Sequence, residues 1–253
     1  KPAPQSSPAA IEIAGIALDR ARISWRDEQQ GTAITLADLK LETGPIAARA
    51  DGKWSLDGNI ESVSPKLTAK IHAASRYRID VERGAYGVSG LDATVAGDLP
   101  GLPGAHIAAQ GDAEIGGRTI HVAGLRIEAS ARDGLKARVD VPKLDVTDRA
   151  LTSSALTVDL KQLGAGSPQA VDAKITIAPL EGSAQGAQSA SVAATFDVKR
   201  GNDAIQGKIA SPLQIDREHT TAALAKLNGE ITVAGPTIPH RSMIVTMDGR
   251  LSA

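Results

Sequence analysis

Apolar and polar residues alternate one by one over much of this chain. Leu67, Ala69, Ile71 and Ala73 alternate with Lys66, Thr68, Lys70 and His72, and Tyr77, Ile79 and Val81 alternate with Arg76, Arg78, Asp80 and Glu82. The same pattern runs through Leu135 to Val141, Leu156 to Leu160 and Val171 to Ile177. Successive strand side chains point to opposite faces, so each segment predicts a strand with one apolar and one wet face. Antiparallel sheets tolerate that asymmetry, whereas parallel sheets normally need both faces covered.

Turn-forming dipeptides separate the runs. Gly31, Gly44-Pro45, Asp51-Gly52, Asp57-Gly58, Gly116-Gly117, Asp133-Gly134, Gly201-Asn202-Asp203 and Asn228-Gly229 predict hairpin turns. Helical periodicity is nearly absent. The best helix candidate, Glu218 to Leu227, has no apolar stripe at its C-terminal end, and the strand reading is preferred there. The predicted class is all-β: an antiparallel meander with little or no helix.

A short motif recurs, in which an apolar residue is followed three and five positions later by further apolar residues. It occurs at Ile13–Leu18, Leu36–Leu41, Val88–Ala93, Val122–Ile127 and Val141–Val146. Each copy moves the apolar parity by one, as a β-bulge does, and repeated bulges would curl a long sheet. The copies are irregularly spaced, which argues against a solenoid or propeller of fixed repeat length.

Composition sharpens this picture. The chain has 253 residues, 42% hydrophobic and 23% charged, with a formal net charge of −1. A balance so close to neutral argues against a nucleic-acid partner. Aromatics are only 2%, while roughly one residue in six is Ala. Many of the expected inward positions are Ala: 69, 73, 93, 129, 137, 173 and 194. Two stacked sheets sit about 10 Å apart and need bulky residues to fill the gap. An Ala-rich face suits either a sandwich with a lean core or an open trough with a smooth aliphatic floor, and composition alone favours the sandwich.

Candidate chemistry is sparse. There is no cysteine, so a disulfide framework, a thiolate metal site and a Cys nucleophile are excluded. His72, His106, His121, His219 and His240 form no HxH or HExxH pair and read as solvent-facing strand residues. Gly164-Ala165-Gly166-Ser167 lacks the helix and third glycine of a nucleotide loop and reads as an ordinary loop. Acidic residues such as Asp27-Glu28 and the pair Asp145 and Asp148 are scattered, as solvated edges and turns would be. The sequence predicts no enzyme, no catalytic residue, no metal and no cofactor.

One stretch carries a resemblance. Leu18 to Thr32, with Trp25 and Asp27 entering a polar turn, and then Leu36-Ala37-Asp38-Leu39-Lys40-Leu41-Glu42-Thr43-Gly44, resembles the AsmA family of Gram-negative bacteria. Segments 207–213, 224–233 and Leu251-Ser252-Ala253 are similar to later strands of that family. The resemblance implies an elongated groove lined by apolar residues, akin to TamB and the chorein-type bridge proteins. It also implies a periplasmic location with an inner-membrane anchor helix that this sequence lacks, and phospholipid as the ligand. The implied role is phospholipid movement between inner and outer membranes, with inner- and outer-membrane proteins as further partners.

With the resemblance added, the trough is preferred: a curled meander forming an open, β-taco-like groove. Residues 1–10 read as the end of a linker, and 11–253 as one elongated β domain cut from a longer protein. Parity alone selects Ile23, Trp25, Ile71, Ile79, Ile127, Val139, Val158, Ile175, Phe196 and Val245 as lipid-facing. The alternative is a structural or adaptor β-sandwich that binds an envelope protein through a strand edge. It requires a closed, dry core.

Overall fold

The computed structural model describes residues 12–29, 31–163, 169–183, 185–216, 219, 221–224, 226–236, 241–247 and 251–252. The linker at 1–10, the loop at 164–168, Glu218 and His240 lie outside the described residues. So do the side chains of Val245, Met247 and the final strand.

Among the described residues extended segments account for every regular element. In chain order they are β1 (Ala17–Asp27), β2 (Thr32–Thr43), β3 (Arg49–Ser62), β4 (Leu67–Asp80), β5 (Ala85–Leu99), β6 (Leu102–Gly116), β7 (Thr119–Ser130) and β8 (Leu135–Val146). These are followed by β9 (Leu151–Ser153), β10 (Leu156–Leu163), β11 (Gln169–Ile177), β12 (Leu180–Gly182), β13 (Gly186–Arg200) and β14 (Asp203–Asp216). The last are β15 (Thr221–Leu224), β16 (Leu227–Ala234), β17 (Arg241–Met247) and β18 (Leu251–Ser252). Within 218–227 Thr221–Leu224 and Leu227 are in strands, as preferred over helix, while His219 lies in a turn and Lys226 in a bend with φ of +57°.

The sheet is one antiparallel meander. Strands β1 to β8 pair in sequence order. Beyond β8, short breaks split single strand positions into two pieces. Both β9 and β10 pair with β8, and they are met in turn by β12 and β11, which both pair with β13. Strand β14 follows β13 and takes both β15 and β16, which carry β18 and β17. The 18 strands therefore occupy fourteen positions, four of them interrupted. At 4.8 Å per strand the sheet is about 60 Å wide. Among the described residues β1 pairs only with β2, and β17 only with β16, so the sheet is open and not closed into a barrel.

Among the described residues no second layer covers it. Every substantial contact between strands joins hydrogen-bonded neighbours. The buried apolar residues are Leu39, Ala50, Ala69 and Ala105, and no large side chain is fully buried. The accessible surface is 16846 Å², against about 10,500 Å² for a compact globule of this mass. These observations overturn the sandwich with a lean core. The side chains are too small and too few on one face to fill the space between two stacked sheets.

The recurring motif marks breaks in register. Bulges fall in β2 at Asp38, whose φ is +51°, in β5 at Ser89-Gly90 and in β7 at Gly124. The copy in β8 bulges in step with β7, since Leu125↔Val141 and Ala123↔Lys143 bracket Gly124 and Pro142 without a slip. The first copy is an exception: Ile13 makes an isolated bridge with Ile46 ahead of β1, and the bulge of β1 lies at Arg20 instead.

Three predicted turns are not turns. Asp51-Gly52 and Asp57-Gly58 lie within β3, and Asn228-Gly229 within β16. Their glycines serve smallness rather than turning, because each sits beneath a large cross-strand neighbour. The chain instead reverses at 63–66, 81–84 and 100–101, besides the predicted turns around Gly31, Gly44-Pro45, Gly116-Gly117, Asp133-Gly134 and Gly201-Asn202.

Candidate functional site

Residues paired directly across strands share a face, so the register assigns every side to one of two surfaces. On one of them Trp25 meets Ile34, Ile23 meets Leu36, Leu41 meets Leu56, Ala69 meets Ile60 and Ile71 meets Val95. The row continues through Val95↔Ile107, Ala109↔Ile127, Ile127↔Val139, Val139↔Val158 and Val158↔Ile175. It runs on through Ala173↔Phe196, Phe196↔Gly207, Gly207↔Ile231 and Ile231↔Met243. The ten residues selected by parity therefore all lie on this face. Val245 is placed there by its pairing with Gly229 alone, its side chain being outside the described residues. The seven Ala positions expected to point inward are on the same face.

The bulges make this continuity possible. An uncorrected shift of one residue would turn half of each strand's apolar set to the other face. The extra residue at each bulge restores the parity, so Val88 and Leu91 both belong to the apolar face, as do Val122 and Leu125.

Large residues on this face lie over small ones. A β-carbon added to Gly52 would fall 2.5 Å from Cζ of Tyr77, so the Tyr77 ring covers that glycine. The Tyr77 hydroxyl donates to the carbonyl of Pro45, which fixes the ring. Phe196 covers Gly207 in the same way, and Ile209 covers Gly229. Aromatic cover of a strand glycine shields the backbone without a second layer. The result is an aliphatic floor in which Ile23, Trp25, Ile127 and Ile175 remain 51%, 55%, 37% and 39% exposed. Two hydroxyls in this floor, those of Ser62 and Ser75, are buried without a hydrogen-bond partner.

The opposite face carries the charges, mostly as cross-strand pairs. Arg78 meets Asp51, His72 meets Asp57, Lys161 meets Asp172, Lys174 meets Asp159 and Lys208 meets Glu230. Such exposed pairs add little stability individually, and they keep this face wet. The histidines expected to face solvent do so with partners: Nδ1 of His72, His121 and His219 contacts Asp57, Asp145 and Asp216. Hollows on this face include one of about 420 Å³ across β6, β7, β8 and β10, lined by His106, Glu128, Lys136, Arg138 and Lys161. It is not part of the apolar floor. Among the described residues no cluster of His, Asp and Glu is placed to hold a metal ion.

The strongest polar knot joins β7 and β8. Asp140 accepts from Nε of Arg138 at 2.5 Å and from Nε of Arg126 at 2.7 Å. Those two hydrogen bonds, Arg138 first, hold its carboxyl below the ordinary carboxylate value, against the opposing effect of burial. Hydrogen bonds from His121 and then Lys143 lower Asp145 similarly. A depressed carboxylate contributes stability that is complete above its unfolded value near pH 4, and that contribution is lost as pH falls through the folded value. Asp140→Asn is expected to cost about 1 kcal/mol at neutral pH, because it removes the negative charge and one of the two acceptor oxygens that serve the partly covered Arg126 and Arg138. It should also flatten the loss of stability below about pH 4. Urea titrations of both proteins at neutral pH and in acid check this, and parallel acid limbs would contradict it.

Sequence reasoning placed the apolar face but missed Tyr77, Gly52 and Gly207 as the residues that flatten it. The available signal was the glycine in mid-strand, which tends to mark a close approach of another group. No family model, curated protein or solved structure matches this chain.

Proposed function

We propose that this chain is a segment of a periplasmic, AsmA-like groove that shields phospholipid acyl chains between the inner and outer membranes. One observation carries the reading: an apolar face about fourteen strands wide that, among the described residues, no second layer covers. Soluble proteins seldom leave so large an apolar area bare unless something binds it. Apart from the Ser62 and Ser75 hydroxyls the described floor is mostly apolar, which suits a ligand held non-directionally. Each buried methylene contributes about 0.8 kcal/mol, so a sixteen-carbon tail would gain about ten kcal/mol gross. The charged face would meet water while acyl chains lie on the floor. In this reading the segment is not an enzyme. An anchor helix elsewhere in a longer protein would hold it at the inner membrane, and its further partners would be membrane proteins at either end.

Native mass spectrometry of the purified chain is expected to show co-purifying phospholipid that detergent removes and phospholipid vesicles restore. A chain that stays lipid-free after incubation with vesicles would refute the proposal. A second reading, an adaptor for an envelope protein, draws on the outer sides of β1 and β17, with which no described strand pairs. It predicts capture of a protein by a lipid-free chain.

A further inference from the structure

Breaks in register line up across most of the sheet. The bulges at Ser89-Gly90 in β5, Gly124 in β7 and Pro142 in β8 are followed by the gaps between β9 and β10 and between β11 and β12. The slip of β13 between Ser189 and Val192, opposite Pro212 of β14, continues the line, and so does the gap between β15 and β16. The line stays three to five residues from one set of turns, which includes 81–84, 117–118 and 147–150. On its other side six to ten residues remain in each strand. Aligned bulges fold a sheet along a line. The result is a crease with a short wall of about 15 Å, a wall up to about twice as tall, and a length of about 40 Å over the nine strand positions from β5 to β16.

Two aliphatic rows flank the crease on the apolar face. One runs from Val88 to Leu224 and includes Leu144, Leu180 and Leu213; the other runs from Leu91 to Leu227 and includes Val141, Leu156 and Ile177. Neither row holds a charged residue. None of their large side chains is exposed, whereas Tyr86, Ile115 and Ile120 on the short wall are 46%, 48% and 42% exposed, and Ile175 and Ile205 on the tall wall 39% and 41%. Exposure that falls from both walls toward the line places it at the bottom of a fold closing toward the apolar side. Backbone groups freed by the breaks already have partners. The N–H of Gly90 donates to Asp112, that of Leu180 to Oγ of Ser153 and that of Ala178 to the carbonyl of Ser191. Ser189, 4% exposed, donates to the carbonyl of Ala178, and Pro142, Pro179 and Pro212 bring no N–H. A peptide laid here would carry N–H and C=O groups with nothing to meet. A hydrocarbon chain carries none, and between two walls it buries more of its surface than on one flat face.

Resting on the lipid reading above, we propose that this crease seats the acyl chains of a bound phospholipid, which lie across the strands between the two rows and not down any one strand. Ile127 and Ile175, one step up the tall wall from Leu125 and Ile177, flank the same chains.

The protein has two tryptophans, so a Trp25→Phe, Trp54→Phe background lets a single introduced indole report its own surroundings. Ala113→Trp and Leu180→Trp place probes in the crease about 20 Å apart across the strands. Ile205→Trp, six residues along β14 from the crease residue Ser211, places one about 20 Å up the tall wall. Ala113 and Ile205 are exposed, so those two variants should keep the sheet by far-ultraviolet circular dichroism, and they suffice if Leu180→Trp does not. Each protein is loaded from phosphatidylethanolamine vesicles with brominated acyl chains, and bound lipid is counted by native mass spectrometry. Emission at 113 and 180 is expected to fall at least about twofold, while emission at 205 stays within about a tenth of its lipid-free value. Bound lipid with equal quenching at 113 and 205 would overturn the crease and leave the lipid reading standing. Absence of bound lipid would remove both, and a co-purified peptide in place of lipid would do the same.

Discussion

A chain carrying Ile127→Asp and Ile175→Asp is expected to lose at least tenfold of the phospholipid that the wild type retains. The two residues lie on the apolar face in β7 and β11, separated by β8 and β10, and are 37% and 39% exposed. Their exposure means that a carboxylate at either place meets solvent when no ligand is bound, so the sheet should still form. Under an acyl chain the same carboxylate is driven into hydrocarbon, which costs about 3 kcal/mol at the centre of a bilayer. An open groove lets in water, so about half that figure is reasonable, and 1.4 kcal/mol is a tenfold loss of affinity. Thr94→Asp, on the charged face between His72 and Ala108, is the control and should leave retention unchanged. Quantitative lipid extraction from the three proteins decides the matter. If the double variant holds as much lipid as the wild type, the apolar face is not where lipid sits.

The largest expected effect on stability comes from Gly97→Val. A β-carbon at Gly97 would fall 2.1 Å from the carbonyl oxygen of Thr68 and 2.5 Å from Cα of Ala69. Both are backbone atoms of β4, and Ala69 is 3% exposed, so nothing flexible can move aside. Relief requires β4 and β5 to separate, and overpacking of this kind costs about 3 kcal/mol. Gly84 offers the contrast. It has φ of +59° in the turn between β4 and β5, with no atom within 4 Å of its added β-carbon. Gly84→Ala should cost only about 1 to 2 kcal/mol, the strain of a left-handed backbone. A sheet without a common core transmits disruption mainly to neighbouring strands, as repeat architectures do. Hydrogen exchange should therefore show protection lost in β4, β5 and their neighbours and kept in β13 to β16. Uniform loss across the sheet would indicate a tertiary core that the contacts between strands do not contain.

The same geometry explains why the mixed charges of the polar face matter little one by one. Most of the pairs are well exposed, and each holds two long side chains in one arrangement for a small return. Their collective effect is to keep one side of a thin sheet hydrated while the other stays apolar. Asp140, accepting from both Arg126 and Arg138 and only 17% exposed in its side chain, is where that balance carries measurable stability.

By itself the sequence determined the class of fold and the composition of each face. Period-two alternation leaves a side chain no choice of surface once its segment is a strand, and this is why parity alone gathered Ile23, Phe196 and eight others on one face. It also located the bulges at Asp38, Gly90 and Gly124, because a one-residue change in apolar parity must be absorbed somewhere in the register, but not those of β1 at Arg20 or of β13 between Ser189 and Val192. It could not decide between a sandwich and a single open layer. That choice depends on whether Ala-lined faces from distant parts of the chain can fill the space between them, which alternation within one strand does not encode. Nor did it separate turn glycines from strand glycines: Asp51-Gly52 and Asp133-Gly134 look alike in sequence. Only the cross-strand partner, Tyr77 lying over Gly52, decides which one turns and which one is covered.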